Sequence, residues 1–337
     1  MLSNKLTGRV RKNLDIVILL AAFIIIIILM TLFSGGRFLQ ISSLSSMAYQ
    51  LPELGLLSLA MLVAMITGGI NLSIISSANF TGVVMAIMMT KLIPLDSGTG
   101  YTLLLLVLIL LVGLLFSMVL GLFNGILIAY VEISPILTTL GTMIFFEGLT
   151  LAITKGFVIS GFPEMFLVVG NGSVLGIPIP FYIFSVFAVI LFFILGRRPF
   201  GNYLYMIGSN QQATEYSGIN VKMVIVKTYV LSSLYTGLAA VIMMSRFNSA
   251  NARYGASYLL MTVLIIILGG TNPDGGFGKL TGVIIALFTL QALSSGFNLL
   301  GVSSFITVGL WGVLLVLVIY YREFMITKQN RWMALKE

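Results

Sequence analysis

The sequence has neither cysteine nor histidine among its 337 residues. Disulfides, thiolate metal sites, thiol nucleophiles and imidazole acid–base chemistry are excluded together. Charge is also scarce, at 8% of residues, and only ten residues are acidic. A soluble domain carries about a quarter charged residues. Here 59% of residues are hydrophobic, more than a soluble fold of this length can hide, so lipid is the expected solvent. A membrane hydrolase or metalloenzyme would have to work without its usual side chains. The chain is therefore expected to be no enzyme and to bind no metal or cofactor itself.

What is present points the same way. Glycine is abundant, at 35 residues, as suits helices that pack closely in a membrane. The net charge of +8 is gathered at the N-terminus (Lys5, Arg9, Arg11, Lys12), at Arg197 and Arg198, and at the C-terminus (Arg322, Lys328, Arg331, Lys336). This distribution fits the positive-inside rule and not a nucleic-acid surface. No small-residue cleavage site follows the apolar run Ile16–Phe33, which is expected to remain as a span.

A membrane-crossing helix needs about 20 apolar residues. On that measure Ile16–Phe33 is the first span. Leu54–Thr90 is long enough for two, broken at Gly68-Gly69. Tyr101–Val131 and Ile136–Thr154 follow, the latter containing Glu147. A polar, glycine-rich loop (Lys155–Gly176) leads to Pro180–Gly196. Arg197–Lys222 is aqueous, and beyond it lie Met223–Ser245 and a short eighth span, Tyr258–Leu268. Leu280–Tyr321 holds two more, broken near Ser294–Ser304. The expected fold is an all-α integral membrane protein: one domain over residues 1–337, with about ten transmembrane helices. Counting Lys and Arg on each side puts both termini in the cytoplasm, with residues 1–13 and 322–337 as cytoplasmic tails and 197–222 as a cytoplasmic loop.

Three segments carry functional signal. Thr67-Gly68-Gly69-Ile70-Asn71-Leu72-Ser73 can leave helical geometry, either lining a polar cavity or simply turning between two spans. Gly269–Lys279 fails as a phosphate-binding loop, because Pro273 stands where the first Gly is required and Leu280 where Ser or Thr is. Each of these two segments opens on Gly-Gly and is followed by Thr-Gly-Val (Thr81–Val83, Thr281–Val283), a faint trace of duplication or chance. In the third, Gly208–Ile219, Asn210 is a plausible N-cap and Gly218 a plausible C′ residue, so Gln211–Ser217 reads as a two-turn helix. A helix that short is marginal alone, and must dock on a soluble partner or on its own chain.

These segments resemble the permease subunit of the ribose-type ABC importers, the family that takes in pentoses, hexoses and furanosyl autoinducers. Gly68–Ser73 matches the family's Gly-Gly-Ile-Asp-Leu-Ser except at Asn71. Thr139-Leu140-Gly141-Thr142-Met143 matches Thr-Leu-Gly-Thr-Met, and Leu268-Gly269-Gly270 with Gly275, Gly276 and Gly278 matches the second glycine loop. Gly208–Ile219 is similar to the cytoplasmic loop that docks the ATPase subunit, which makes Gly208, Asn210, Gln211, Ala213, Glu215, Ser217 and Gly218 the implied coupling residues. Glu147 stands where Arg is common, and Ala256–Leu260 lacks an acidic residue often found there.

The resemblance implies a multi-pass protein of the bacterial inner membrane that pairs with a second permease chain, identical or related. It would work with ATPase subunits, which hold the ATP and Mg²⁺, and with an extracytoplasmic binding protein. Asn71, Asn124, Glu147, Gln291 and Asn298 are candidates for the substrate path, although Asn and Gln also serve simply to hold helices together. The alternative is an ion-coupled secondary transporter. That would need buried ionisable groups, of which Glu147 is the evident one.

Overall fold

The computed structural model describes the backbone of residues 2–94 and 98–334, with side chains from 16 to 94 and from 98 to 320. The basic side chains expected to mark the two tails lie outside the described residues. The fold is all-α, with helices α1 (Leu2–Phe33), α2 (Ile41–Ile66), α3 (Ile74–Leu92), α4 (Thr99–Ala129) and α5 (Pro135–Thr154) forming the first half. The second half holds α6 (Glu164–Asn171), α7 (Ile179–Arg197), α8 (Pro199–Ser209), α9 (Gln211–Tyr216), α10 (Val221–Phe247), α11 (Tyr258–Leu268), α12 (Leu280–Leu299) and α13 (Ser304–Ala334). Among the described residues, eight of these are long and apolar enough to cross a membrane.

The spans divide by what surrounds them. Every residue of α2 from Leu51 to Ile66 is buried, and α10 is buried nearly throughout. A helix apolar on all sides belongs in the centre of a membrane bundle. By contrast α1 presents Ile18, Ile24, Ile25 and Leu32 outward, and α4 presents Leu104, Leu111 and Leu115, as lipid-facing helices do. On its inner face α4 is small. Ser117, Gly121 and Gly125 recur every four residues and let the α10 backbone come within contact, with Val226 Cα 2.9 Å from where a Cβ on Gly125 would stand. Ser117 Oγ donates to Ser233 O across this seam. Close backbone approach of this kind holds helices together where the hydrophobic effect cannot.

Several expectations change. The second span begins at Ile41, not near Leu54, so Glu53 lies inside it. The loop over Lys155–Gly176 contains α6, whose end docks on α10: Gly170 N–H donates to Ser245 Oγ (2.7 Å), which donates to Phe166 O (2.6 Å). The Arg197–Lys222 loop is two helices joined by Asn210 alone. At 11 residues α11 is about 16 Å long, roughly half the hydrocarbon thickness, so it does not cross on its own. The break in the last apolar stretch falls at Leu300–Ser303, where Gly301 has φ +72°.

Candidate functional site

The Gly68-Gly69 break ends α2, and the chain re-enters helix at Ile74. Between them the backbone is unwound, and its polar groups are met from four helices. Asn71 is buried; its Nδ2 donates to Ser232 Oγ of α10 (3.0 Å), and that hydroxyl donates to Ala60 O of α2 (2.8 Å). Asn71 Oδ1 accepts from Ser73 Oγ (2.8 Å) and Ser73 N (3.2 Å), and Asn124 Nδ2 of α4 donates to Ser73 Oγ (2.9 Å). Leu72 N donates to Thr139 Oγ1 of α5 (3.1 Å), which lies 2.9 Å from Ile70 O. Irregular backbone survives inside a membrane protein only when its amides are satisfied in this way. The network carries no charge, and Asn124 Oδ1 is its one buried side-chain atom without a hydrogen-bond partner among the described residues.

A second polar cluster lies further along α2. Glu53, fully buried, accepts from Arg246 of α10 (2.7 Å) and from the Tyr258 hydroxyl at the start of α11 (2.5 Å), all at Oε1. Arg246 also stacks over Phe247, 4.6 Å from the ring centroid. Glu53 Oε2 and Arg246 Nε have no hydrogen-bond partner among the described residues. An isolated carboxylate at this depth would be costly, and the arginine is what makes it tenable. Sequence reasoning misses this pair, because a span read from Leu54 leaves Glu53 just outside it. A signal was available: between Arg37 and Lys91 Glu53 is the sole charged residue.

The third element is α8–α9. Asn210 Oδ1 accepts from Ala213 N (2.9 Å), the N-cap bond expected from the sequence. Ser217 is the C-cap, so the helix ends one residue earlier than expected, and Gly218 follows with φ +81°. Of Gln211–Gly218 only Thr214 is buried, and Tyr216 is 91% exposed. Gly208, by contrast, is wedged between Ile66 O and Gly276 N, with no room for a side chain.

The other predicted residues are dispersed. Glu147 on α5 is partly exposed and paired with Arg253 at 3.4 Å, so it does not stand alone. Gln291 is buried on α12, 3.3 Å from Ser295 Oγ and 3.5 Å from Gln50 Oε1 of α2. Asn298 is exposed as the next-to-last residue of α12. Of the five path candidates, the structure brings Asn71 and Asn124 together, through Ser73. No cluster of His, Cys, Asp or Glu fit to hold a metal ion occurs among the described residues.

Comparison with known proteins gives a consistent result. Residues 43–319 match a family described as the permease component of branched-chain amino acid transport systems. The chain is 35% identical over 289 residues to a ribose import permease of Bacillus subtilis, covering 84% of this chain and 85% of that one. It is 30% identical over 296 residues to an autoinducer 2 import system permease of Yersinia enterocolitica, covering 86% of each. It is 31% identical over 272 residues to a ribose import permease of Haemophilus influenzae, covering 80% of this chain and 81% of that one. No solved structure matches.

Proposed function

The chain belongs to the family of branched-chain amino acid transport system permease components, and on that premise we propose the solute it carries, its arrangement in the membrane and its point of coupling. It is the transmembrane permease subunit of an ABC importer, a transport protein and not an enzyme. The proposed solute is a small, uncharged polyhydroxylated molecule, a monosaccharide or a furanosyl compound, in line with the ribose and autoinducer 2 permeases it is similar to. Importers of this class work with an ATPase and a substrate-binding protein. In this reading ATP and Mg²⁺ bind the ATPase, and two permease chains, identical or related, enclose the path.

The observation that carries the coupling assignment is α9. It is too short to persist alone in water, yet it is capped at both ends, mounted on α8 and almost wholly exposed. Such a helix is a prepared surface for a soluble partner. Gln211, Ala213, Glu215, Ser217 and the exposed Tyr216 form the contact, while Gly208, Asn210 and Gly218 set its frame. We place this end, both termini and the ATPase in the cytoplasm of a bacterial inner-membrane protein with about ten membrane-inserted helices. Support comes from Arg246 and Arg253 at the other end, each paired with an acid, whereas Arg197, Arg198 and Lys279 cluster near α8. Glu147 is the proposed contact of α5 with the solute, since a partly exposed carboxylate can accept from sugar hydroxyls. Asn71 and Asn124 shape the path through the break they hold, and Gln291 and Asn298 are its contacts on α12.

The ion-coupled alternative is not favoured. Among the described residues the most deeply buried carboxylate, Glu53, is already committed to Arg246. Reconstitution tests the assignment. The chain, placed in proteoliposomes with its ATPase and binding protein, should take up ribose or a furanosyl relative only with ATP inside and binding protein outside. Uptake driven by a proton or sodium gradient without the ATPase would overturn it. A cysteine introduced at Gln212 into this cysteine-free chain, expressed without the ATPase, should react with an impermeant thiol reagent from the cytoplasmic side alone.

A further inference from the structure

The break after α2, the glycine loop before α12 and the end of α8 meet backbone to backbone. A Cβ on Gly208 would collide with Ile66 O and Gly276 N. One on Gly275 would stand 2.6 Å from Gly68 N and 2.8 Å from Gly208 Cα. Gly276 N–H donates to Ile66 O (2.9 Å), taking up a carbonyl left free where α2 ends. Tyr205, one turn back on α8, donates its hydroxyl to Gly278 O (2.9 Å). Gly68, Gly275 and Gly276 have φ of +82°, +92° and +74°, a region that favours glycine.

We propose that Gly68, Gly208, Gly275 and Gly276 form a rigid joint that positions α9 against the Asn71 network and against α11, so that a displacement of α9 reaches both ends of the membrane core. This rests on α9 being the docking helix, as proposed above. Side chains in contact can yield by changing rotamer, but backbone packed on backbone has no such freedom. Only Asn210 separates α8 from α9, so α9 cannot move far without Gly208. From Gly68 three residues lead to Asn71, whose hydrogen bonds run to α10 and, through Ser73, to α4. From the glycine loop the chain leads back to Gly269, where α11 ends, and Gly269 O presses on Gly282 at the start of α12. The other end of α11 is Tyr258, bonded to Glu53. The short helix α11 is thus a strut between the joint and the buried ion pair.

The test compares a joint variant with a docking-surface variant in the assembled importer. Gly275→Ala should leave the amount of copurified ATPase within twofold of the unaltered chain. The stimulation of ATP hydrolysis by loaded binding protein, and uptake, should each fall at least tenfold. A merely structural role would not separate bound partner from transmitted signal. Gly68→Ala, whose added Cβ would lie 3.0 Å from Asp274 O, is a milder second variant with the same expected signature. Tyr216→Ala on α9 should instead lose the ATPase itself. Normal stimulation and uptake in Gly275→Ala would overturn the joint while leaving the docking helix intact. Failure of both glycine variants to assemble would also overturn it, by showing that the joint serves folding alone. A Tyr216→Ala chain that keeps partner and uptake would instead fault the docking reading on which the joint depends.

Discussion

The two buried polar clusters solve the same problem in opposite ways. The Asn71 network uses only amides and hydroxyls, spreads its bonds over the break, α2, α4 and α10, and leaves only the neutral Asn124 Oδ1 unmet among the described residues. The Glu53 cluster uses full charges, concentrates its bonds on one carboxylate oxygen and leaves Oε2 and Arg246 Nε unmet. When one bond of a neutral network opens, an amide or hydroxyl is left short of a partner, which costs less than a stranded charge. In a buried ion pair, removing one member strands the other. The contrast fits their places in the proposed route. The neutral network sits at the unwound break, where the backbone must shift, whereas the ion pair anchors the far end of α11.

That contrast can be broken by substitution. Glu53→Ala should produce the largest loss, about 3–5 kcal/mol, because Arg246 stays buried without its partner. Arg246→Ala should cost about as much, and the double variant well under the sum, as thermal unfolding of the detergent-solubilised chain would read. Asn71→Leu should cost about 1–3 kcal/mol, leaving Ser73 and Ser232 short of a partner without stranding a charge. If it costs more than Glu53→Ala, the distinction drawn between the clusters is wrong. Glu147→Gln should change stability by less than about 1 kcal/mol, as for other exposed pairs, yet reduce uptake several-fold. Unchanged uptake would remove Glu147 from the path.

The smallest effect concerns Glu132 in the turn between α4 and α5, paired with Lys222 in the first turn of α10 (2.9 Å), where the lysine's hydrogen bond and charge hold the Glu132 carboxyl below its ordinary value of 4.5. A carboxyl depressed in this way stabilises the folded chain above its unfolded pKa. That contribution disappears as pH falls through the lower folded value. Lys222→Gln should therefore lower stability slightly at neutral pH, flatten the acid limb of the profile and leave stability below the folded pKa unchanged.

Much of this was legible in the sequence because lipid imposes a length on every span and a price in polarity on every break. The break at Gly68-Gly69, the ends of α5 and α7 to within a residue or so, the whole of α11 and the caps of α9 followed from apolar runs and from Asn and Gly placement. The start of α2 did not. Ser42, Ser43, Ser45 and Ser46 make its first turns look aqueous, and only packing against neighbouring helices carries the helix back to Ile41. The same misplacement concealed Glu53. Its partner was hidden for a further reason: Arg246 lies 193 positions away, and nothing local in the sequence couples the two. The meeting of Gly68, Gly208 and Gly275 was invisible for the same reason. Each glycine looked like an ordinary turn residue, and only the fold shows that one needs the space the others leave.

The most direct test of the central claim, that α9 couples this chain to an ATPase, is copurification of the partner with an Ala213→Asp variant. Position 213 is exposed on α9, so the substitution should leave insertion and unfolding temperature unchanged. Within a docked interface the new carboxylate would be desolvated without a partner. The account predicts that the ATPase recovered with the variant falls at least tenfold, and ATP-driven uptake with it. ATPase recovered in full, with uptake undiminished, would contradict it.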